Sequence, residues 1–346
     1  MKKREIVDTM EYIKENNSTM SNYSLIDNHR ELRKMKSELE VDMKNCEYSV
    51  RFNRGEMNDD LLESLVGRNV DLDNIGLSQI NSFQFGNNTI SVLETFNEDQ
   101  SYIREYKSEF AEIVNKEGRK KGRLTETFND MCMNDNGDIY LTHYSKMSIS
   151  CLSPSTPASK VISTVPLRPR GICQSLDGGL LVTLADNESE DYKLDSYSRR
   201  LVRHITVTGD VIHEYEYQED GQTRLLTMPL GITQNRNSDI CVVNLTSDST
   251  GELVIISSSG GMKSVYRGQN LMKKFNPTDV VCDSLCNILV TDSRNNRIHL
   301  LSPDGEFLKF LLTKNEVNYP FSLSLFKSTL WVGYMEGLIE VFQYRM

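Results

Sequence analysis

One block of about fifteen residues recurs down the chain, and such a fixed-length repeat decides the architecture before any single element is assigned. FNDMCMNDNGDIYLT (Phe128–Thr142) aligns with PRGICQSLDGGLLVT (Pro169–Thr183), PLGITQNRNSDICVV (Pro229–Val243) and PTDVVCDSLCNILVT (Pro277–Thr291). PFSLSLFKSTLWVG (Pro320–Gly333) fits with one residue fewer. Met131 to Ile139, Ile172 to Leu180, Ile232 to Ile240 and Val280 to Ile288 are each eight apart, and Leu323 to Leu330 is seven. The anchors advance by 41, 60, 48 and 43 residues, which suits four-stranded propeller blades of about 40 to 50 residues.

Each block alternates apolar and polar residues around a turn such as Asn136-Gly137, so it reads as two tightly joined strands. A third strand follows in each unit (SISCLS, RLVRHITV, ELVIISS, RIHLLS), then a turn, then a fourth (SKVISTV, DVIHEYEY, GMKSVYRG, EFLKFLL). No such meander buries both faces alone, so the units stack around an axis with the apolar first strands innermost. Met131, Ile172, Ile232, Val280 and Leu323 are therefore expected on innermost strands.

Gly86 to Ile113 contains NTISVLETF and YIREYKSEF, strand-like but without the anchor spacing. A sixth, degenerate blade is expected there, with ISVLETF alternatively the outer strand that closes the ring. Residues 1–45 differ: Ile6, Met10, Ile13, Asn17 and Met20 follow a 4-3-4-3 spacing, which Leu25, Leu32, Met35 and Leu39 resume after a phase shift. That is the pattern of a coiled coil with a stutter. The expected fold is mainly β: a β-propeller of six blades, five of them clear in the sequence, preceded by a short α-helical coiled-coil segment. Residues 1–45 would be the helix, 46–80 a linker and 81–346 the propeller.

The coiled-coil pattern, VRFNRGEMNDDLLESLVGR (50–68), DSYSRRLVRHITVTGDVIHEYEY, LLTMPLGITQNRNSDICVVN and NPTDVVCDSLCNILVTDSRNNRIHLLSPDGEFL together resemble the tripartite-motif (TRIM) proteins with C-terminal NHL-type propellers, especially the invertebrate, molluscan set. The resemblance covers nearly the whole chain and is strongest from Phe128 onward. It implies an NHL-like propeller that recognises a partner, which in fuller relatives is a ubiquitination substrate. The family's RING and B-box zinc modules have no counterpart here, so ubiquitin ligation by this chain alone is not expected.

Structural zinc needs four Cys or His ligands, usually in paired short spacings. The nearest candidate, Cys282-x3-Cys286, has no second pair and no suitably spaced His, so core or turn cysteines are expected and no metal or cofactor. The seven cysteines are odd in number and several sit in apolar strand-like runs, which implies no disulfide framework. The five histidines (29, 143, 204, 213, 299) are scattered, with no nucleophile motif nearby. A calcium-dependent lactonase, a chemistry known in propellers, would need hard oxygen ligands that converge. Asp130 and Asp279, or Asp292 and Asn296, are the candidates, and each also has a structural reading as a turn or strand-end residue. The expectation is no enzyme.

A net charge of -10 argues against a nucleic-acid binder held by overall charge. Charge placement is more informative. Loops entering the first strand and those joining the second to the third share one face of a propeller. That face is expected to receive Arg119, Lys120, Lys121, Arg123, Arg168, Arg170, Arg199, Arg200, Arg224, Lys273, Lys274 and Arg294, diluted by Glu188, Glu190, Asp191, Glu219 and Asp220. The other face receives Asp135, Asp138, Asp177, Asp210, Asp239, Asp283, Asp304 and Glu306. The first eight of these basic residues, Arg119 to Arg200, form the candidate partner-binding set. The leading expectation is a non-enzymatic protein-interaction module on that face. The alternative is single-stranded RNA binding there, weakened by few exposed aromatics in those loops; the lactonase reading comes third. No apolar run approaches the roughly 20 residues that cross a bilayer, and the charged N-terminus has no h-region. A cytoplasmic protein without membrane contact is expected, self-associating weakly, if at all, through its N-terminal helix.

Overall fold

The structure is a computed structural model and describes residues 72, 74–154, 156–186, 192, 194–269, 273–313 and 318–346, with only the backbone of 156–160. The helix expected over 1–45, the dimer expected through it and nearly all of the 46–80 linker lie outside the described residues. What is described belongs to one compact unit, Leu72–Met346.

In chain order the strands are β1 (Gly76–Gln84); β2 (Ile90–Thr95), β3 (Gln100–Glu105), β4 (Ala111–Asn115) and β5 (Lys120–Leu124); β6 (Met131–Met133), β7 (Ile139–His143), β8 (Ser148–Ser153) and β9 (Thr156–Ser163). Then follow β10 (Arg168–Gln174), β11 (Leu180–Ala185), β12 (Arg200–Ile205) and β13 (Val211–Tyr215); β14 (Pro229–Gln234), β15 (Ile240–Ser247), β16 (Thr250–Ile256) and β17 (Met262–Tyr266). The last are β18 (Val280–Cys282), β19 (Ile288–Asp292), β20 (Arg297–Leu301) and β21 (Phe307–Thr313), and β22 (Pro320–Phe326), β23 (Thr329–Tyr334) and β24 (Leu338–Arg345). They form six four-stranded antiparallel sheets, five of them consecutive meanders and the sixth β22-β23-β24-β1. This is a six-bladed β-propeller. Among the described residues no helix is long and apolar enough to cross a membrane.

Met131, Ile172, Ile232, Val280 and Leu323 are buried on the innermost strands β6, β10, β14, β18 and β22, as their spacing predicts. The first hairpin of four blades closes alike: Asn134, Ser175, Asn235 and Asp283 donate their N–H to the residue four ahead, and the N–H of the third residue on points back. That third residue has positive φ, at Gly137 (81°), Gly178 (86°), Ser238 (71°) and Cys286 (67°), the left-handed position of a bulged hairpin. Cys286 is thus a turn residue, while Cys282 lies in β18.

Two boundary expectations differ from the structure. The closing outer strand is β1, which begins at Gly76 inside the segment expected as linker, and ISVLET is β2, the innermost strand of the first blade. β1 pairs with β24 from Gly76↔Arg345 to Gln84↔Leu338 across a bulge between Gln79 and Asn81. Its faces are largely polar and exposed, so it carries no apolar anchor that local sequence could reveal.

Blades are also stitched to one another. Thr142 Oγ1 donates to the Arg170 carbonyl (3.1 Å), Thr183 Oγ1 to Leu230 (2.7 Å), Thr278 Oγ1 to Phe321 (2.7 Å) and Ser322 Oγ to Ile90 (2.8 Å). Tyr344 of β24 donates its hydroxyl to Asp283 Oδ2 at 2.8 Å, tying the last blade to the turn between β18 and β19. Asp283 also accepts from Leu285 and Asn287. Tyr344→Phe removes one of several donors to a buried carboxylate and is expected to cost about 1–2 kcal/mol. Thermal melting checks it; an unchanged midpoint would make this stitch energetically silent.

Candidate functional site

In a meander blade the first-to-second and third-to-fourth turns share one face, and the remaining connections share the other. On this geometry the eight candidate basic residues do not form one set. Arg119 lies in the turn between β4 and β5, its N–H on Asn115 Oδ1 (2.8 Å), and so belongs to the opposite face. Lys120, Lys121 and Arg123 lie on β5, an outer edge strand, and not in the loop entering β6. The physical reason is pairing: Glu112↔Arg123 and Val114↔Lys120 put the segment in register with β4, and an edge strand needs no apolar side chains. Buried Glu112 there takes Lys120 Nζ (2.6 Å) and Arg123 Nη2 (2.7 Å), which hold its carboxyl below the usual range against the opposing effect of burial.

Arg168, Arg170, Arg199 and Arg200 do come together on the entry-loop face, with different occupations. Arg199 is spent on Glu214 (2.9 Å) and Glu216 (2.8 Å), which push its pKa up. Arg200 is fully buried; its Nη2 lies 3.2 Å from Asp186 Oδ1 and its Nη1 3.8 Å from Met228 Sδ. Arg168 and Arg170 both stack on Tyr144, from the turn between β7 and β8, with guanidinium carbons 4.6 Å and 5.1 Å from the ring centre. Burial pulls the Arg170 pKa down, and Arg200 and Arg168 act in the same direction. Neither Arg168 nor Arg170 has an acidic partner among the described residues. The repeat places Thr127 and Asn129, Met228 and Leu230, Asn276 and Thr278, and Tyr319 and Phe321 at the positions equivalent to Arg168 and Arg170. The fold therefore does not require charge there.

The expectation of few exposed aromatics on this face is also corrected. Tyr106 is 60% exposed, Tyr197 86% and Tyr217 38%. Lys107 sits over Tyr106 (5.3 Å), Arg224 over Tyr217 (4.5 Å) and Lys273 over Tyr319 (5.9 Å). Tyrosines scattered over separate loops leave no trace in sequence until the blades bring them to one face. On the opposite face the expected acids mainly serve turns and pairs: Asp138 binds its own hairpin, and Asp239 and Asp304 share Lys263 (2.7 and 2.8 Å).

A second constellation lies on the axis. Asp130 accepts the N–H of Met131 (2.9 Å) and of Ile172 in the next blade (3.0 Å); Asp279 accepts Val280 (2.8 Å) and Leu323 of the next blade (2.7 Å). Glu94, which sequence reasoning missed, reaches the N–H of Met133 (3.0 Å), also one blade on. Burial is the main cause that raises Glu94 to about 8, Asp279 to about 7 and Asp130 to about 6, and their mutual repulsion adds to Glu94 and Asp279. Arg104, stacked on Phe128 at 5.0 Å, offsets part of this at Asp130. Asp292 and Asn296 take no part: Asp292 accepts from Asn276 and Asn295, and Asn296 from Tyr319. No group of three or more His, Cys, Asp and Glu among the described residues is arranged to hold a metal ion. His143 bonds the Thr127 carbonyl and Ser150, and His299 bonds Tyr266 in an aromatic core cluster.

No family model and no curated protein matches the chain. Solved structures do. A streptogramin B lyase superposes with a TM-score of 0.54 at 16% identity, over 79% of this chain and 99% of that one. A catalytically inactive virginiamycin B lyase variant from Staphylococcus aureus, solved with quinupristin, gives 0.53 at 14%, over 78% and 99%. A putative gluconolactonase gives 0.56 at 13%, over 80% and 96%. At these identities the likeness shows the propeller fold alone.

Proposed function

We propose that the protein is a non-enzymatic recognition module, an NHL-like propeller of the tripartite-motif kind, whose entry-loop face holds an acidic protein partner. The observation that carries this reading is the pair Arg168 and Arg170. Two guanidinium groups stand on one tyrosine with no carboxylate among the described residues to neutralise them, at positions where the repeat otherwise has no charge. Arginine is suited to such a place because its planar fork grips carboxylate or phosphate with two parallel bonds. Pro169, with its fixed φ, holds the two on either side.

Arg168→Gln with Arg170→Gln is expected to leave the melting midpoint within about 2 °C, since neither side chain makes an ion pair among the described residues, and to lower partner affinity about tenfold or more. Capture by the full chain, with and without nuclease, compared with the double variant, is the measurement. An unchanged set of partners at unchanged affinity removes the face from consideration.

A second reading, a hydrolytic enzyme, draws on Glu94. A carboxyl with pKa near 8 keeps its proton at neutral pH and could serve as a general acid beside Asp130 and Asp279. Turnover of a lactone and ester panel that disappears in Glu94→Gln would favour this reading over recognition; equal background rates would end it.

A further inference from the structure

Arg168 and Arg170 are occupied in a way that narrows what they can hold. Their Nε atoms are buried without a hydrogen-bond partner, so stacking on Tyr144, and not ion pairing, fixes these side chains. Among the described residues, the carboxylates on this face have other partners. Asp186 takes Arg200 and the N–H of Arg199 (2.7 Å). Asp195 accepts the N–H of Tyr197 and Ser198 and the Ser198 hydroxyl. Asp248 is bonded by the Tyr192 hydroxyl. Arg200 brings its own counter-charge in Asp186, so among the described residues the charge left without a carboxylate here is that of Arg168 and Arg170 together.

Resting on the reading of this face as a recognition surface, we infer that Arg168 and Arg170 form a receptor for a phosphomonoester dianion, carried on a phosphorylated side chain of the protein partner. A carboxylate or a phosphodiester brings one negative charge and leaves one guanidinium uncompensated in a partly buried place. A phosphomonoester brings close to two charges and three acceptor oxygens, which two forks can share. The source follows from charge at longer range. At net charge -10 the chain as a whole disfavours an extended polyanion such as nucleic acid or an anionic bilayer, which reaches beyond this patch, whereas one dianion is gripped at contact distance.

The test is calorimetric titration of the full chain with four probes: phenyl phosphate, benzoate, a decauridylate and vesicles of anionic lipid. Phenyl phosphate is expected to bind about tenfold or more tightly than benzoate, and Arg168→Gln and Arg170→Gln each to weaken it about tenfold. Arg168→Lys should restore part of the loss, because it returns charge without the fork. A phosphorylated peptide should then bind at least about tenfold better than its unphosphorylated form. Benzoate binding as well as phenyl phosphate, still through both arginines, overturns the phosphoryl assignment and leaves the recognition face standing. Decauridylate or vesicles outcompeting phenyl phosphate overturns the assigned source. Phenyl phosphate binding that ignores both substitutions, or no binding of any probe, overturns the assignment, and an unchanged partner set in the double variant overturns the face as well.

Discussion

A chain that begins at Phe85, and so lacks β1, is expected to lose the closed ring: its melting midpoint should fall by more than about 10 °C, or it should aggregate before melting, whereas a chain beginning at Leu72 should melt like the full protein. β1 is the whole outer strand of the last blade, paired with β24 along its length. It also covers the core, with the Phe83 ring edge-on to fully buried Trp331 at 6.4 Å. Ile75, just before it, is buried, and Lys309 Nζ donates to the carbonyls of Leu72 and Ile75, both at 2.8 Å. Asn81 reaches the Lys116 carbonyl of the first blade (2.8 Å). Three blades therefore hold this one strand. Its removal exposes the β24 edge and the aromatic surface beneath Phe83, and losing that ladder and burial together is worth about 5 kcal/mol or more. Equal melting of the two shortened chains would mean that the ring closes without β1.

Five blades are legible in sequence for the same reason that the first is not. An aliphatic residue on the first strand and another eight positions on, across a bulged hairpin, are both buried in three of the repeats, Ile172 with Leu180, Ile232 with Ile240 and Val280 with Ile288. In the first blade the hairpin shares the closing bond, Phe96 N–H to the Gln100 carbonyl (3.3 Å), while Asp99 N–H turns instead to Asn97 Oδ1 (2.8 Å); this puts Leu93 and Ser101 in the two anchor positions. Ser101 is fully buried but satisfied by Thr95 Oγ1 (3.2 Å) and the Tyr102 carbonyl (3.1 Å). A hydroxyl hidden by hydrogen bonding occupies an apolar position, and the repeat becomes invisible. β1 is illegible for another reason: its partner is more than two hundred residues away and its side chains are mostly polar.

Legibility of the candidate site divides similarly. Arg168 and Arg170 stand out because they break a repeat, and the structure gives them a common ring to stack on. Lys120, Lys121 and Arg123 read as a loop because an edge strand with exposed side chains has a loop's composition. Arg199 reads as available, yet Glu214 and Glu216, on the neighbouring outer strand and just beyond it, consume it; only the β12–β13 register reveals that pairing. Asp130 and Asp279 each precede an anchor and were visible as pattern, while Glu94 follows its anchor, Leu93, in the one blade whose register was hidden. Had the hairpin Phe96–Gln100 been aligned, Glu94 would have appeared on the axis too.

Those axial carboxylates make stability depend on pH in an unusual direction. Burial raises Glu94 to about 8, Asp279 to about 7 and Asp130 to about 6 from ordinary values of 4.5, 3.8 and 3.8. The folded protein thus binds more protons than the unfolded chain between roughly pH 4 and pH 8, so stability falls as pH rises through that window and levels off above it. Glu112 and Glu214, with lowered pKa values, act oppositely, but their contribution is lost only as pH falls below about 4. The melting midpoint should therefore be highest at about pH 5 and fall steadily toward pH 8.5 as the three axial carboxyls ionise. Glu94→Gln keeps an oxygen for the Met133 N–H and has no charge to bury, so it should match the unsubstituted protein near pH 5 and melt about 5 °C higher at pH 8.5. Asp279→Asn should behave differently: both carboxylate oxygens accept backbone N–H groups, from Val280 and Leu323, and an amide can serve only one, so this variant should melt lower even at pH 5. If Glu94→Gln shows the same pH slope as the unsubstituted protein, Glu94 is not the group that titrates. If the slope flattens as expected, the variant is a fully folded chain lacking the axial carboxyl raised furthest, to about 8, and turnover measured in it separates a catalytic axis from a purely architectural one.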